Sequence, residues 1–293
     1  MKRVVRLAAI MAVLMMGILI SSNASLAKDG ITTLKKNKVY KAYDVTGDGK
    51  ADKIKVISKT KKKNDMNTMK IMINGKQAFK HKEYCGTPYV SIIQLEDGQN
   101  MISVFHSGLN DYGVRTINTY VDSKWKKIMN LNSTKIEYKY DGPAGSPIAV
   151  SGNAVTIQFG CQSAMTGISK YSMDYLYTDG KLELQTPIAD YAILKLGKGE
   201  QDFKYDETMI ARMEMDVYNQ VEEGRTVAFK IKKDDQVVFH KILRINGRPW
   251  YQVSVGENTG WLECGEFKYH EYEEGDDEYD GSSEYFHNAA FAG

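Results

Sequence analysis

Three stretches of this chain repeat one pattern, and the pattern admits few folds. Asp52-Lys-Ile-Lys-Val-Ile57 is followed by a Lys-rich loop, then Thr68-Met-Lys-Ile-Met-Ile73, Asn74-Gly75 and Lys76. Met101-Ile-Ser-Val-Phe105 is followed by a Gly/Asn/Asp loop, then Arg115-Thr-Ile-Asn-Thr-Tyr-Val121 and Asp122-Ser123-Lys124-Trp125. Ala154-Val-Thr-Ile-Gln-Phe159 is followed by a small-residue loop, then Tyr171-Ser-Met-Asp-Tyr-Leu-Tyr177 and Asp179-Gly180-Lys181-Leu182. Apolar and polar residues alternate with period two, the spacing of half-buried strands, and a two-residue turn joins the last two segments of each stretch. The starts at Ile54, Ile102 and Val155 lie about fifty residues apart, within the range of blade-type arrays. Residues 36–187 are expected to form repeated antiparallel β-units. A closed propeller typically takes about four blades or more, so three units leave open a partial propeller, a curved open sheet or a β-sandwich.

The entrance to the first unit carries the clearest site signal. In Asp44-Val-Thr-Gly-Asp-Gly-Lys-Ala-Asp52, the oxygens of Asp44, Thr46 and Asp48 fall at alternate positions, Gly49 permits a sharp turn, the Lys50 carbonyl can point inward and Asp52 closes the set. An oxygen-only calcium loop needs those positions and ligand types. The alternative is an Asp/Gly-rich turn that simply starts a strand. The order of residues resembles the calcium loops of FG-GAP and VCBS-type extracellular repeats and of dockerins, though no Glu stands at the twelfth position as in a full EF-hand. The resemblance to FG-GAP/VCBS repeats extends over residues 36–187 and implies a structural calcium ion held by Asp44, Thr46, Asp48, Lys50 and Asp52. Only the first unit keeps the full ligand set; Glu96, Asp97 and Asn100 form a reduced version in the second.

Downstream, Gly197-Lys-Gly-Glu200 reads as part of a linker spanning 188–214. Met209, Met213, Val217 and Val221 are spaced by four, as in a short helix, while Met213, Met215 and Val217 alternate, as in a strand. The run Gly247-Arg-Pro-Trp250-Tyr251-Gln-Val-Ser-Val255, five turn residues and Trp261-Leu262 resembles bacterial Src-homology-3-like (SH3-like) domains, over residues 215–265. That resemblance implies a small barrel. It also implies an aromatic surface in which Trp250, Tyr251 and Trp261 contact a ligand. The fold expectation is thus all-β: an antiparallel repeat domain followed by an SH3-like barrel.

The N-terminus begins with Lys2, Arg3 and Arg6, continues as an apolar run from Leu7 to Ile20 and ends in small residues through Ala27. This is the pattern of a signal peptide, residues 1–27, and implies a secreted or wall-associated protein. Fourteen helical residues reach roughly 21 Å, short of the ~30 Å hydrocarbon core. Of the 39 Lys and Arg, three lie in this leader, leaving 36 against 37 Asp and Glu. The charges are unevenly placed. From Glu263 onward there are ten acidic residues and one Lys, so Lys28–Leu262 carries 35 basic against 27 acidic. A basic body suits an anionic extracellular surface such as a cell wall. The acidic end, 266–293, reads as a disordered tail, with folding back onto the basic body as the alternative. The three cysteines, Cys85, Cys161 and Cys264, allow one disulfide plus a free thiol.

Catalytic signatures are sparse. The five His stand at no metal-binding spacing, and His106-Ser107 with Asp111 lacks the Gly-x-Ser-x-Gly elbow of a hydrolase. The expected function is a non-enzymatic, calcium-stabilised binding or adhesion protein whose partner is a cell-wall polymer or extracellular protein. The alternative is a wall- or glycan-active hydrolase with its site in the repeat domain.

Overall fold

The computed structural model describes residues 30–61, 63–108, 113–132, 139, 143–196, 203–266, 283–287 and 289. The leader at 1–27 lies outside these residues. Every named element is a β-strand, and each pairing is antiparallel.

Two short strands come first, β1 (Ile31–Thr33) and β2 (Val39–Tyr43). β2 then runs into a meander with β3 (Asp52–Lys61), β4 (Met66–Ile73) and β5 (Lys76–Tyr84). A second meander comprises β6 (Thr87–Gln94), β7 (Asn100–Ser107), β8 (Gly113–Val121) and β9 (Lys124–Asn130), with β1 added beside β6. A third begins with β10 (Ala144–Ser151), β11 (Ala154–Ser163), β12 (Gly167–Thr178) and β13 (Lys181–Leu184). The three recurring stretches supply the second, third and fourth strands of their meanders. The local cause is the turn chemistry. Asn74-Gly75, Asp122-Ser123 and Asp179-Gly180 all hold positive φ at both positions, between 50° and 81°. That geometry matches the twist of a two-residue hairpin.

The middle sheet is buried on both faces, and its sequence shows why. Along β7, Ile102 and Val104 point to a core shared with Ile54, Val56, Met69 and Ile71 of the first sheet. Met101, on the opposite face, joins Ile93 and Ile117 in a core shared with Val155, Ile157 and Tyr171 of the third. A strand with a layer on each side needs apolar residues at consecutive positions, and Met101-Ile102 supplies them.

Beyond residue 187 the structure departs from expectation. The stretch 188–214, expected to be a linker, carries β14 (Ile188–Leu196), β15 (Phe203–Asp206) and β16 (Thr208–Ala211). β17 (Met215–Tyr218) follows, so the four-residue spacing of Met209 to Val221 does not become a helix. Met209, Ala211, Met215 and Val217 are buried while Met213 is 44% exposed, and period two prevails because these residues enter ladders with other strands. The remaining strands are β18 (Val227–Ile231), β19 (Gln236–Ile245), β20 (Arg248–Val255), β21 (Asn258–Glu263) and β22 (Phe286–His287).

The expected barrel over 215–265 does not close. The strands run β19-β20-β21-β17-β18 in one open path. Closure would need β18 against β19, but β14 and β16 occupy that edge of β19, pairing Ala189 with Ile242 and Met209 with Val237. The module is thereby fused into one sheet with the third meander. The end of the presumed disordered tail is also ordered: β22 pairs with β16, and Phe286 and Ala289 are buried.

Candidate functional site

The Asp44–Asp52 loop closes on itself. Asp44 accepts the N–H groups of Gly47 and Gly49, each at 2.7 Å, and the Thr46 hydroxyl at 3.3 Å. Slight burial pushes the Asp44 carboxyl upward, but the bonds from Gly49, Gly47, Thr46 and Asp48 outweigh it and hold the group below its ordinary value. Asp48 caps the N–H of Lys50 at 2.9 Å. Asp52 turns inward, is 2% exposed, and receives the N–H groups of Val45 and Thr46 and the amide of Asn74. It therefore ties the loop to the β4–β5 hairpin, since Asn74 also accepts the N–H of Lys53. Among the described residues no group of three or more His, Cys, Asp or Glu is placed to hold a metal ion. The donor set is nevertheless all oxygen, and Asp48 remains on the surface.

The expected aromatic face is mostly interior. Tyr251 is fully buried, and its hydroxyl donates to Ser163 Oγ at 3.0 Å. Trp250 is 5% exposed. The Arg225 guanidinium lies over its ring at 5.0 Å and over that of Tyr218 at 4.7 Å, while pairing with Glu263 at 3.2 Å. Only Trp261 is half-exposed. Period two explains the split: consecutive Trp250 and Tyr251 must point to opposite faces, and both faces here are covered. No disulfide joins the three cysteines; Cys85 is exposed, and Cys161 and Cys264 are buried.

Two arrangements escaped the sequence reading. The first lies between the first two sheets. His106 is fully buried, neither ring nitrogen makes a hydrogen bond of good geometry, and the ring packs edge-on against His81 at 5.2 Å. His81 Nε2 in turn lies 3.4 Å from Glu83 Oε2. Ser107 follows His106 on the same strand and so points to the other face, which separates the hydroxyl from the imidazole; Asp111 lies outside the described residues. A nearby cleft of about 440 Å³ is lined by Val56, Ser58, Asn67, Cys85 and Pro88.

Burial foremost, then His81, lowers the His106 pKa, against smaller upward effects from Glu83 and the Gly86 main chain. The unfolded chain takes up this proton near pH 6.5, before the folded protein does, so stability falls as pH drops below about 6.5 and is fully present above it. Melting temperatures measured from pH 7.5 to 5.5 should decline less in His106→Phe than in the native protein. Parallel declines would show that this ring does not drive the loss.

The second is the outward face of the β2–β5 sheet. By alternation with the buried Ile54, Val56 and Ser58, β3 presents Lys53, Lys55, Lys59 and Lys61 outward. Lys70 of β4 pairs across to Lys80 of β5, and Thr68 to Lys82. The only acidic residues in these four strands are Asp52 and Glu83, and both turn inward.

No family model matches the chain, and no curated protein or solved structure matches it either. The resemblances to calcium-loop repeats and to SH3-like domains therefore rest on the quoted residues alone.

Proposed function

We propose that this is a secreted, non-enzymatic binding protein that attaches to an anionic extracellular surface such as a cell wall. The observation that carries this reading is the lysine face of the β2–β5 sheet, an end layer on which the same strands place no outward carboxylate. The three stacked meanders act as a blade-like scaffold for that face. The segment 215–265 extends the scaffold and is not the ligand-gripping part, since Trp250 and Tyr251 are buried. Residues 28–293 should co-sediment with purified Gram-positive wall sacculi and be released by rising salt. A chain that stays in the supernatant at low salt would remove the reading.

Calcium belongs to this proposal as a structural aid to the first sheet. Asp44, Thr46, Asp48 and the Lys50 carbonyl would hold it, while Asp52 anchors the loop from behind. Affinity should be on the order of 10⁻⁴ M, as in extracellular modules. Calcium should raise the melting temperature of the native protein and leave that of Asp48→Ala unchanged. An equal rise in the variant would take Asp48 out of the site.

A further inference from the structure

We propose that the outward face of the β2–β5 sheet docks one class of partner, a linear polyanion with phosphodiester repeats; this rests on the surface-binding reading above. Register sets the geometry. Successive outward positions on β3 stand roughly 6.7 Å apart along the strand, with Ile57 in the place between Lys55 and Lys59, and neighbouring strands are about 4.8 Å apart. Lys70 faces Ile57 on one side and Lys80 on the other, and Thr68 bridges Lys59 and Lys82. The result is a two-dimensional grid of ammonium groups rather than a single row.

Three features of the grid point to a ligand. Among the described residues, none of Lys53, Lys55, Lys59, Lys61, Lys70, Lys80 and Lys82 is in an ion pair. Lys70 and Lys80 are directly opposite across β4 and β5, an arrangement that destabilises a free sheet and is relieved by a bound anion. The two carboxylates that could have neutralised the face are turned into the molecule, Asp52 to the Val45 and Thr46 amides and Glu83 to His81.

The residue type bears on how a partner is held. The arginine fork would fix a carboxylate or a phosphate in one bidentate geometry, and none of the four strands contains an arginine. Lysine is a point charge on a flexible stem and tolerates any orientation of a phosphate. A grid of such charges suits a mobile chain with closely repeated phosphates, held by release of its counterions and without fixed stereochemistry. Half-exposed Ile57, Met66 and Met72 between the lysines offer contact to the carbon segments of such a chain.

The test uses residues 28–293 with soluble poly(glycerol phosphate), and with wall sacculi before and after removal of phosphodiester polymer by hydrofluoric acid. The native protein should bind the soluble chain and intact sacculi, and lose the stripped sacculi. The triple variant Lys55→Gln/Lys70→Gln/Lys80→Gln should bind the soluble chain more weakly, on the order of tenfold or more. The slope of log affinity against log salt should fall by about 2. The corresponding Lys→Arg triple should bind nearly as the native protein does, since charge is retained. Protection of these lysines from acetylation by the polymer maps the face without relying on any variant. Equal affinity of the glutamine triple, or absent protection, would overturn the docking face. Equal binding to stripped sacculi would overturn the phosphodiester assignment and leave surface attachment standing. Binding to neither kind of sacculus would remove both.

Discussion

Replacing Phe286 by alanine should lower the unfolding free energy by about 3–5 kcal/mol, the usual cost of emptying a buried aromatic site. The ring has no exposed surface and packs edge-on against Phe239 at 5.3 Å. Its segment is fixed on several sides. Ala211 pairs with Phe286 in the β16–β22 ladder, Arg212 donates its N–H to the Tyr285 carbonyl at 2.8 Å, and Ser283 Oγ donates to the Ala164 carbonyl at 3.0 Å. Removing residues 283–293 should cost at least as much. Urea melts read the effect, with the midpoint moving and the slope nearly constant. A shift under about 1 kcal/mol would mean that this segment does not close the core. The expectation of a disordered tail averaged an acid-rich stretch over its whole length. Nine acidic residues over 266–293 mask the local signal of Tyr285-Phe286 and Ala289.

Tyr251→Ala should cost a similar amount, about 3–5 kcal/mol, whereas Tyr251→Phe should cost about 1 kcal/mol. The contrast follows from what each change removes. Alanine empties a ring site between Tyr191 at 4.9 Å and Phe239 at 5.6 Å. Phenylalanine keeps the ring and loses the hydroxyl, yet Ser163 Oγ still accepts the N–H groups of Met165 at 3.1 Å and Thr166 at 3.4 Å. The Tyr251 hydroxyl also reaches Cys264 Sγ at 3.5 Å, but that thiol keeps the Gly265 carbonyl as its own partner, so no buried orphan is created and the loss stays near the net value of one shared hydrogen bond. A tyrosine that served a ligand would behave in the opposite way, losing affinity in the phenylalanine variant without a change in midpoint. Paired denaturation and sacculus-binding assays on both variants separate the two roles.

The Asp44–Asp52 loop shows how far local reading reaches. Asp44 and Asp48 cap amides two to five residues ahead, so their turn is inherent in the spacing. Asp52 is different. Its direction is set by Asn74, 22 residues on, which reaches it only once β3 and β4 have paired. The lysine face is similar. The alternation that turns Lys53, Lys55, Lys59 and Lys61 to one side of β3 is legible in the residues, but the joining of Lys70, Lys80 and Lys82 to them requires the register of three strands. Buried His106 carries no local mark at all.

What the sequence determined by itself is therefore the last three strands of each meander and the tight turn that joins the final two, while β1, β2, β6 and β10 carried no such mark. Period two and positive φ at Asx-Gly or Asp-Ser pairs are properties of neighbouring residues. The tertiary structure alone decided which edges meet. A strand offers the same row of amides and carbonyls on either edge, so Trp250 and Trp261 cannot announce whether β18 or β14 lies beside β19. Burial goes with the pairing observed: Ala189 of β14 and Met209 and Ala211 of β16 lie in the common core where those strands take the β19 edge and leave the barrel open.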